Sequence, residues 1–164
     1  MINLIKFIIL VNNGGKSLKL STRARYGTRA LLDLARHQGN KPVQLKDIAS
    51  RQNISLHYLE HIIAPLVGAK LVRSTRGAHG GLRLIRHPQE LKLSEVVQLL
   101  EGTITPVDCV SNPASCPRSD LCVTREVWGE MKKVLDKTLN SITLQDLIER
   151  QKKKEHLIKT IQHV

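Results

Sequence analysis

Cys109, Cys116 and Cys122 are the three cysteines of this 164-residue chain, and all fall in one stretch, TPVDCVSNPASCPRSDLCVTREVW. Six residues separate the first two and five the last two, with Pro113 and Pro117 between them. Two flexible segments of this length can fold three thiolates toward one point, as a metal ion or cluster requires. An odd number of thiols without a secretory signal fits a reducing cytosol, where clustered cysteines hold metal more often than they pair. A cytoplasmic location is expected, with no membrane partner. Zinc or a thiol redox switch is a second reading, although three cysteines without the usual histidine leave a closed zinc site incomplete. Three ordinary loop thiols are the poorer reading, because buried core cysteines rarely gather in a Pro-rich turn.

The remaining chemistry is basic. The net charge of +12 is concentrated in residues 18–91, which hold thirteen Lys and Arg against four Asp and Glu; residues 92–164 hold eleven against ten. A polyanion is therefore expected to bind the first half. Phe7, Tyr26, Tyr58 and Trp128 are too few aromatics for the stacking platforms of single-strand binders, which leaves double-stranded DNA as the expected partner.

The elements that would present these groups are mostly helical. Ser21 or Thr22 caps a helix to about His37 whose apolar side holds Tyr26, Ala30 and Leu34, with Arg23, Arg25, Arg29 and Arg36 off that side. Leu45, Ile48 and Ala49 form the apolar face of a short helix, Gln52 and Asn53 a polar turn, and Ser55 the cap of a second helix carrying Leu56, Leu59, Ile63 and Leu66. This is a helix-turn-helix pattern, with Ser55, His57, Tyr58 and His61 on the exposed early turns of its recognition helix. A plain helical hairpin would share the pattern, but KLVRSTRGAHGGLRLIR follows as two short strands around a Gly-rich tip. A hairpin in that place is a wing. Arg76 beside Gly77 at its tip suits a minor groove, and Arg73, Arg83 and Arg86 suit phosphates. His79 joins His57 and His61 on the expected DNA face, as does Arg25.

Beyond the wing, a helix is expected from Leu93 to Glu101, capped by Ser94. Leu121, Val127, Trp128, Met131, Val134, Leu135 and Leu139 then recur at helical spacing, a stripe too long for a small winged-helix domain to cover. A second copy of the same helix is its expected cover, with Trp128, Met131 and Leu135 in the homodimer contact. Thr143 with Asp146 caps a last helix, and the Lys-rich end frays. The fold class is thus mainly α with a small β-hairpin. Residues 1–17 are expected to be an N-terminal extension, either read from a start codon too far upstream of Leu18 or a genuine flexible terminus; residues 18–101 are expected to form a winged helix-turn-helix domain. Residues 102–117 form the cysteine cluster-binding loop, 118–150 the dimerisation and C-terminal helices, and 151–164 a basic tail. Nothing suggests an enzyme: the chain lacks a C-x-x-C pair, a phosphate-cradling Gly loop and a nucleophile with its base.

LSTRARYGTRALLDLA, IASRQNISLHYLEHIIAPL, the wing RGAHGG and the three-cysteine loop before a tryptophan-bearing helix together resemble, in the same order, the IscR, NsrR and RirA group of the Rrf-two family. The resemblance spans about residues 18–150. It implies a bacterial transcription regulator, a homodimer on operator DNA, with an iron-sulfur cluster on Cys109, Cys116 and Cys122. The two-iron form is favoured and the four-iron form possible. Base-reading roles fall on Ser55, His57 and Glu60, whose carboxylate can accept from cytosine N4, and the minor-groove role on Arg76. The chain departs from the group where a histidine or aspartate ligand is expected: Arg125 stands in the first place and Arg25 in the second, and arginine offers no acceptor. The fourth ligand is left open among Glu126, Asp108, Asp120, a partner-subunit residue and a small molecule. VGAKLV also replaces a commoner basic turn, and Pro65 lies within the recognition helix.

Overall fold

The structure is a computed structural model that describes residues 19–77 and 80–162, so the expectations for residues 1–17 and for His79 lie outside the described residues. Helix α1 (Thr22–His37) is its hub and packs against four other helices and the hairpin. Ser21 starts it by accepting the Ala24 amide on Oγ (3.1 Å), while its own amide donates to Glu101 Oε2 (2.8 Å). Ala24, Ala30, Leu31 and Leu34 are buried along one side. Gly27 lies on the same side, where a Cβ would stand 2.2 Å from Leu100 Cδ1. With only hydrogen there, the Leu100 side chain packs directly against the α1 backbone.

Helices α2 (Leu45–Gln52) and α3 (Leu56–Gly68) meet at Asn53, whose φ of 52° is left-handed and suits asparagine. Ser55 caps α3 through the Tyr58 amide (3.3 Å). The core stripe of α3 is Leu59, Ile62, Ile63 and Leu66. Leu56, expected to be part of it, lies in the first turn beyond the packed centre and is 45% exposed; Ile62 takes its place. The helix continues past Pro65 to Gly68, although Pro65 has no amide to give the His61 carbonyl.

Strands β1 (Val72–Thr75) and β2 (Gly81–Leu84) pair antiparallel with Val72 opposite Leu84. Val72, Leu82 and Leu84 face inward by strand alternation. Val43 exchanges backbone hydrogen bonds with Leu82 (3.0 and 2.7 Å), anchoring the hairpin to the connection after α1.

Helix α4 (Leu93–Glu101) begins before the expected cap. Lys92 is the cap residue, and its amide reaches Glu95 Oε1 at 3.4 Å. The start is set by backbone bonds from Leu93 to Ile142 and from Leu144 to Leu91, both 2.8 Å. Ser94 instead donates its hydroxyl to Asn140 Oδ1 (2.6 Å).

The cysteine segment is more ordered than a loop. It contains a one-turn helix, α5 (Asp108–Ser111), and 3-10 turns at Pro113–Ser115 and Ser119–Leu121. The long helix α6 (Val123–Asn140) therefore starts at Val123 rather than near 118, and Leu121 falls in the turn before it, 93% exposed. Thr143 and Asp146 cap α7 (Leu144–Gln162) reciprocally, at 2.8 Å for the Thr143 amide and 3.1 Å for the Asp146 amide. The segment expected to fray is helical to Gln162, because α7 lies on α1 and Arg36 pairs with Glu155 at 2.7 Å. No helix among the described residues is long and apolar enough to cross a membrane.

Candidate DNA interface and cysteine segment

The early turns of α3 present Ser55, His57, Tyr58, Glu60 and His61 to solvent. His57 and His61, one turn apart, share a contact between their Nε2 atoms at 3.3 Å, and His57 Nδ1 lies 3.9 Å from Glu60 Oε2. Tyr58 meets Tyr26 of α1 edge to face, ring centroids 6.2 Å apart. Arg25 and Arg29 stack over Tyr26 at 6.0 and 5.3 Å. Tyr26 thus lies between these two arginines of α1 and Tyr58 of the recognition helix.

The wing contributes fewer free arginines than expected. Arg73 and Arg76 are exposed, without a side-chain partner among the described residues, and Gly77 turns the tip at φ 104°. Arg83 instead donates to the Gly39 carbonyl (3.0 Å) and to the Asn40 carbonyl, fastening the wing to the end of α1. Arg86 pairs with Glu95. Phosphate contact from Arg83 or Arg86 would cost these bonds, so the exposed arginines of the wing are Arg73 and Arg76.

The orientation of the helix-turn-helix rests on a group absent from the sequence expectations. Asp33, only 3% exposed, accepts from Arg51 Nε (3.1 Å to each oxygen), Arg51 Nη2 (2.6 Å) and Gln52 Nε2 (3.0 Å). Arg29 adds a bond from Nε to Gln52 Oε1 (3.1 Å) and one from Nη2 to the Gln52 carbonyl (2.5 Å). The ion pair holds the Arg51 pKa above its usual value, mainly through the hydrogen bond to Asp33. The signal in the sequence is a carboxylate among Leu31, Leu32 and Leu34, since a buried charge needs a partner.

All three cysteines are free and half-buried. Cys109 lies in α5, Cys116 follows the first 3-10 turn, and Cys122 is the residue before α6. Their arms are tied by Arg125 of α6, which donates from Nε to the Cys109 carbonyl (2.9 Å) and from Nη1 to the Ser119 carbonyl (3.1 Å). Cys122 Sγ shares a 3.1 Å hydrogen bond with Thr124 Oγ1. The Thr124 hydroxyl and the Arg125 amide hold the Cys122 thiol below its ordinary pKa and favour the thiolate.

As donors, three thiols on one short segment fit an iron-sulfur cluster. The arrangement does not close them on a point: among the described residues no three His, Cys, Asp or Glu side chains lie together as a metal-holding group. Of the expected fourth-ligand residues, Asp120 and Glu126 line a cleft of about 290 Å³ with Cys122 and Arg125. Asp120 takes the Ser119 hydroxyl at 3.4 Å.

The expected dimer contacts lie on an uncovered face. Trp128 and Met131 are 36% and 39% exposed, Val127 and Val134 more so, and Leu135 is half-buried; no residue of α6 is buried.

A helix-turn-helix followed directly by an arginine-bearing hairpin defines a winged-helix DNA-binding protein. The family model for Rrf2, described as an iron-dependent transcriptional regulator, matches residues 20–150, and the chain belongs to this family. It is 47% identical over 131 residues to protein rrf2 of Nitratidesulfovibrio vulgaris, covering 80% of this chain and 87% of that one. Among solved structures it is similar to CymR, the global cysteine regulator of B. subtilis, with a TM-score of 0.68 and 37% identity over 80% of this chain and 97% of that chain. It is also similar to T. potens IscR, with a TM-score of 0.67 and 40% identity over 84% and 91% of the two chains. The chain is therefore a transcriptional regulator.

Proposed function

We propose that this chain is a homodimeric regulator that binds double-stranded operator DNA and senses iron-sulfur supply or redox state through Cys109, Cys116 and Cys122. The observation that carries the reading is one of position. Three free thiols sit on a segment fastened to the first turn of α6, and α6 leaves its apolar face uncovered. A second copy of α6 across that face would place the thiols beside the joint between two DNA-reading heads.

Within each head, Ser55, His57, Tyr58, Glu60 and His61 read base edges, Arg25 and Arg73 meet phosphates, and Arg76 with Gly77 enters the minor groove. Glu60 repels the phosphate backbone and so penalises sites that do not offer it a donor. Asp33 and Arg51 hold the helix-turn-helix rigid, which limits the ordering cost of binding. When bound, the cluster would supply iron-thiolate bonds that oxidants, nitric oxide or iron loss can alter. Cys109, Cys116 and Cys122 would hold it, and the two-iron form is favoured over the four-iron form. Cytoplasmic action follows from operator DNA as partner.

A thiol switch without iron is the second reading, favoured by the lowered pKa of Cys122 and by the likeness to a cysteine regulator. Anaerobic isolation separates the two. The wild-type protein is expected to be coloured, with a Mössbauer signal and an operator affinity that differs with and without the cluster, and Cys109→Ala is expected to lose the colour. A colourless protein that takes up no iron on reconstitution, yet changes operator affinity on reversible thiol oxidation, assigns the switch instead.

A further inference from the structure

We propose that Arg125 is the positioning residue of the cysteine segment: through its bonds to the Cys109 and Ser119 carbonyls it docks both arms of the segment on α6 and sets where the thiols lie. The inference deepens the reading of this segment as the sensing element and rests on it.

The geometry gives Arg125 a role that other residues of the region do not share. Its guanidinium reaches across 16 residues of chain to the Cys109 carbonyl and across six to that of Ser119, so a single planar group joins α5, the second 3-10 turn and the start of α6. Other bonds of the segment are short in range. The Asn112 amide goes to Asp108, the Cys116 amide to Pro113 and the Ser119 amide to Cys116, which shape each turn without fixing it to α6. Two carbonyls presented to one fork match guanidinium geometry, whereas a lysine ammonium is a point donor on a flexible stem. Arg118, in the same segment, makes no side-chain hydrogen bond or ion pair among the described residues and serves as the internal control. Cys109 depends on the clamp directly through its own carbonyl. Cys122 depends on it less, because it adjoins α6 and keeps its bonds from Thr124 and the Arg125 amide, losing only the nearby guanidinium charge.

This unequal dependence is testable without metal. The reduced, metal-free full-length protein is alkylated with iodoacetamide, and the rate at each cysteine is read by peptide mass spectrometry for wild type, Arg125→Ala, Arg125→Lys and Arg118→Ala. Loss of two charge-assisted bonds from a half-buried group is expected to raise the Cys109 rate roughly tenfold in Arg125→Ala, with Cys122 within about twofold of wild type. Arg125→Lys is expected to fall between, and Arg118→Ala to match wild type. If Arg125→Ala lacks a cooperative thermal transition, Arg125→Lys carries the comparison. A Cys109 rate unchanged in folded Arg125 variants, or an equal rise at all three cysteines, overturns the proposal. Failure of the wild-type protein to load iron would remove the cluster reading and leave this result standing.

Discussion

Replacing Asp33 tests whether the buried ion pair sets the stability of the DNA-reading unit. Asp33→Ala removes a carboxylate that accepts three bonds from Arg51 and one from Gln52. Bonds to charged groups contribute about 1.5–3 kcal/mol each at most, and breaking a buried pair costs about 3–5 kcal/mol. Arg51 is 35% exposed against 3% for Asp33, so the arginine left behind rehydrates and the cost falls toward about 2–3 kcal/mol. Arg51→Ala should be worse, about 3–5 kcal/mol, because the buried carboxylate loses its one full charge partner and keeps only Gln52 and the His37 ring at 3.5 Å. Asn at position 33 keeps the Gln52 bond and loses the charge, so about 1–2 kcal/mol is expected. Urea denaturation at fixed protein concentration measures all three, and the double variant closes the thermodynamic cycle. Operator affinity should fall with stability, because Arg51 and Gln52 end α2 at the turn into α3. A coupling energy below about 0.5 kcal/mol, or Arg51→Ala milder than Asp33→Ala, would refute the reasoning.

Two further predictions concern α6 and α7. Met131→Glu places a charge in the uncovered stripe and is expected to give a folded monomer by sedimentation, with weaker operator binding; a wild-type dimer in that variant removes Met131 from the contact. Asp146 has its pKa held below the ordinary carboxylate value by the Thr143 amide and then by the Thr143 hydroxyl. Since the folded pKa is the depressed one, this cap stabilises above the unfolded value of about 4 and is lost as pH falls through the folded value. Asp146→Asn should therefore narrow its stability gap to wild type as pH drops below about 4, read by thermal melting; a gap independent of pH would mean the carboxylate charge plays no part.

Local chemistry made much of the winged head legible in the sequence. The caps at Ser21 and Ser55 and the alternation of the wing each depend on neighbours within a few residues, and each stands where expected; of the turn expected at Gln52 and Asn53, Gln52 ends α2 and Asn53 alone makes the turn. What escaped depends on distant partners. Ser94 suits a cap by type, and α4 spans Leu93–Glu101 as expected, yet backbone bonds between residues 91–93 and 142–144 leave Lys92 as its cap. Arg83 and Arg86 read as phosphate contacts because sequence counts charges and cannot see carbonyls at Gly39 and Asn40 or the carboxylate of Glu95. The cysteine spacing located the thiols but gave no sign that Arg125 would tie their arms, since its acceptors are backbone atoms that every residue type offers.

In the proposed dimer, helix α6 would also act as a lever. Its 18 residues make a rod about 27 Å long, held by Arg125 at one end and by the Asn140 bond to Ser94 at the other. A tilt of about 5° about the thiol end would move the far end by about 2 Å. That is a sizeable part of the roughly 3.4 Å between successive base pairs, and opposite displacements of two heads would add. Small changes of angle beside the cysteines would thus be geared up into a change of spacing along the DNA.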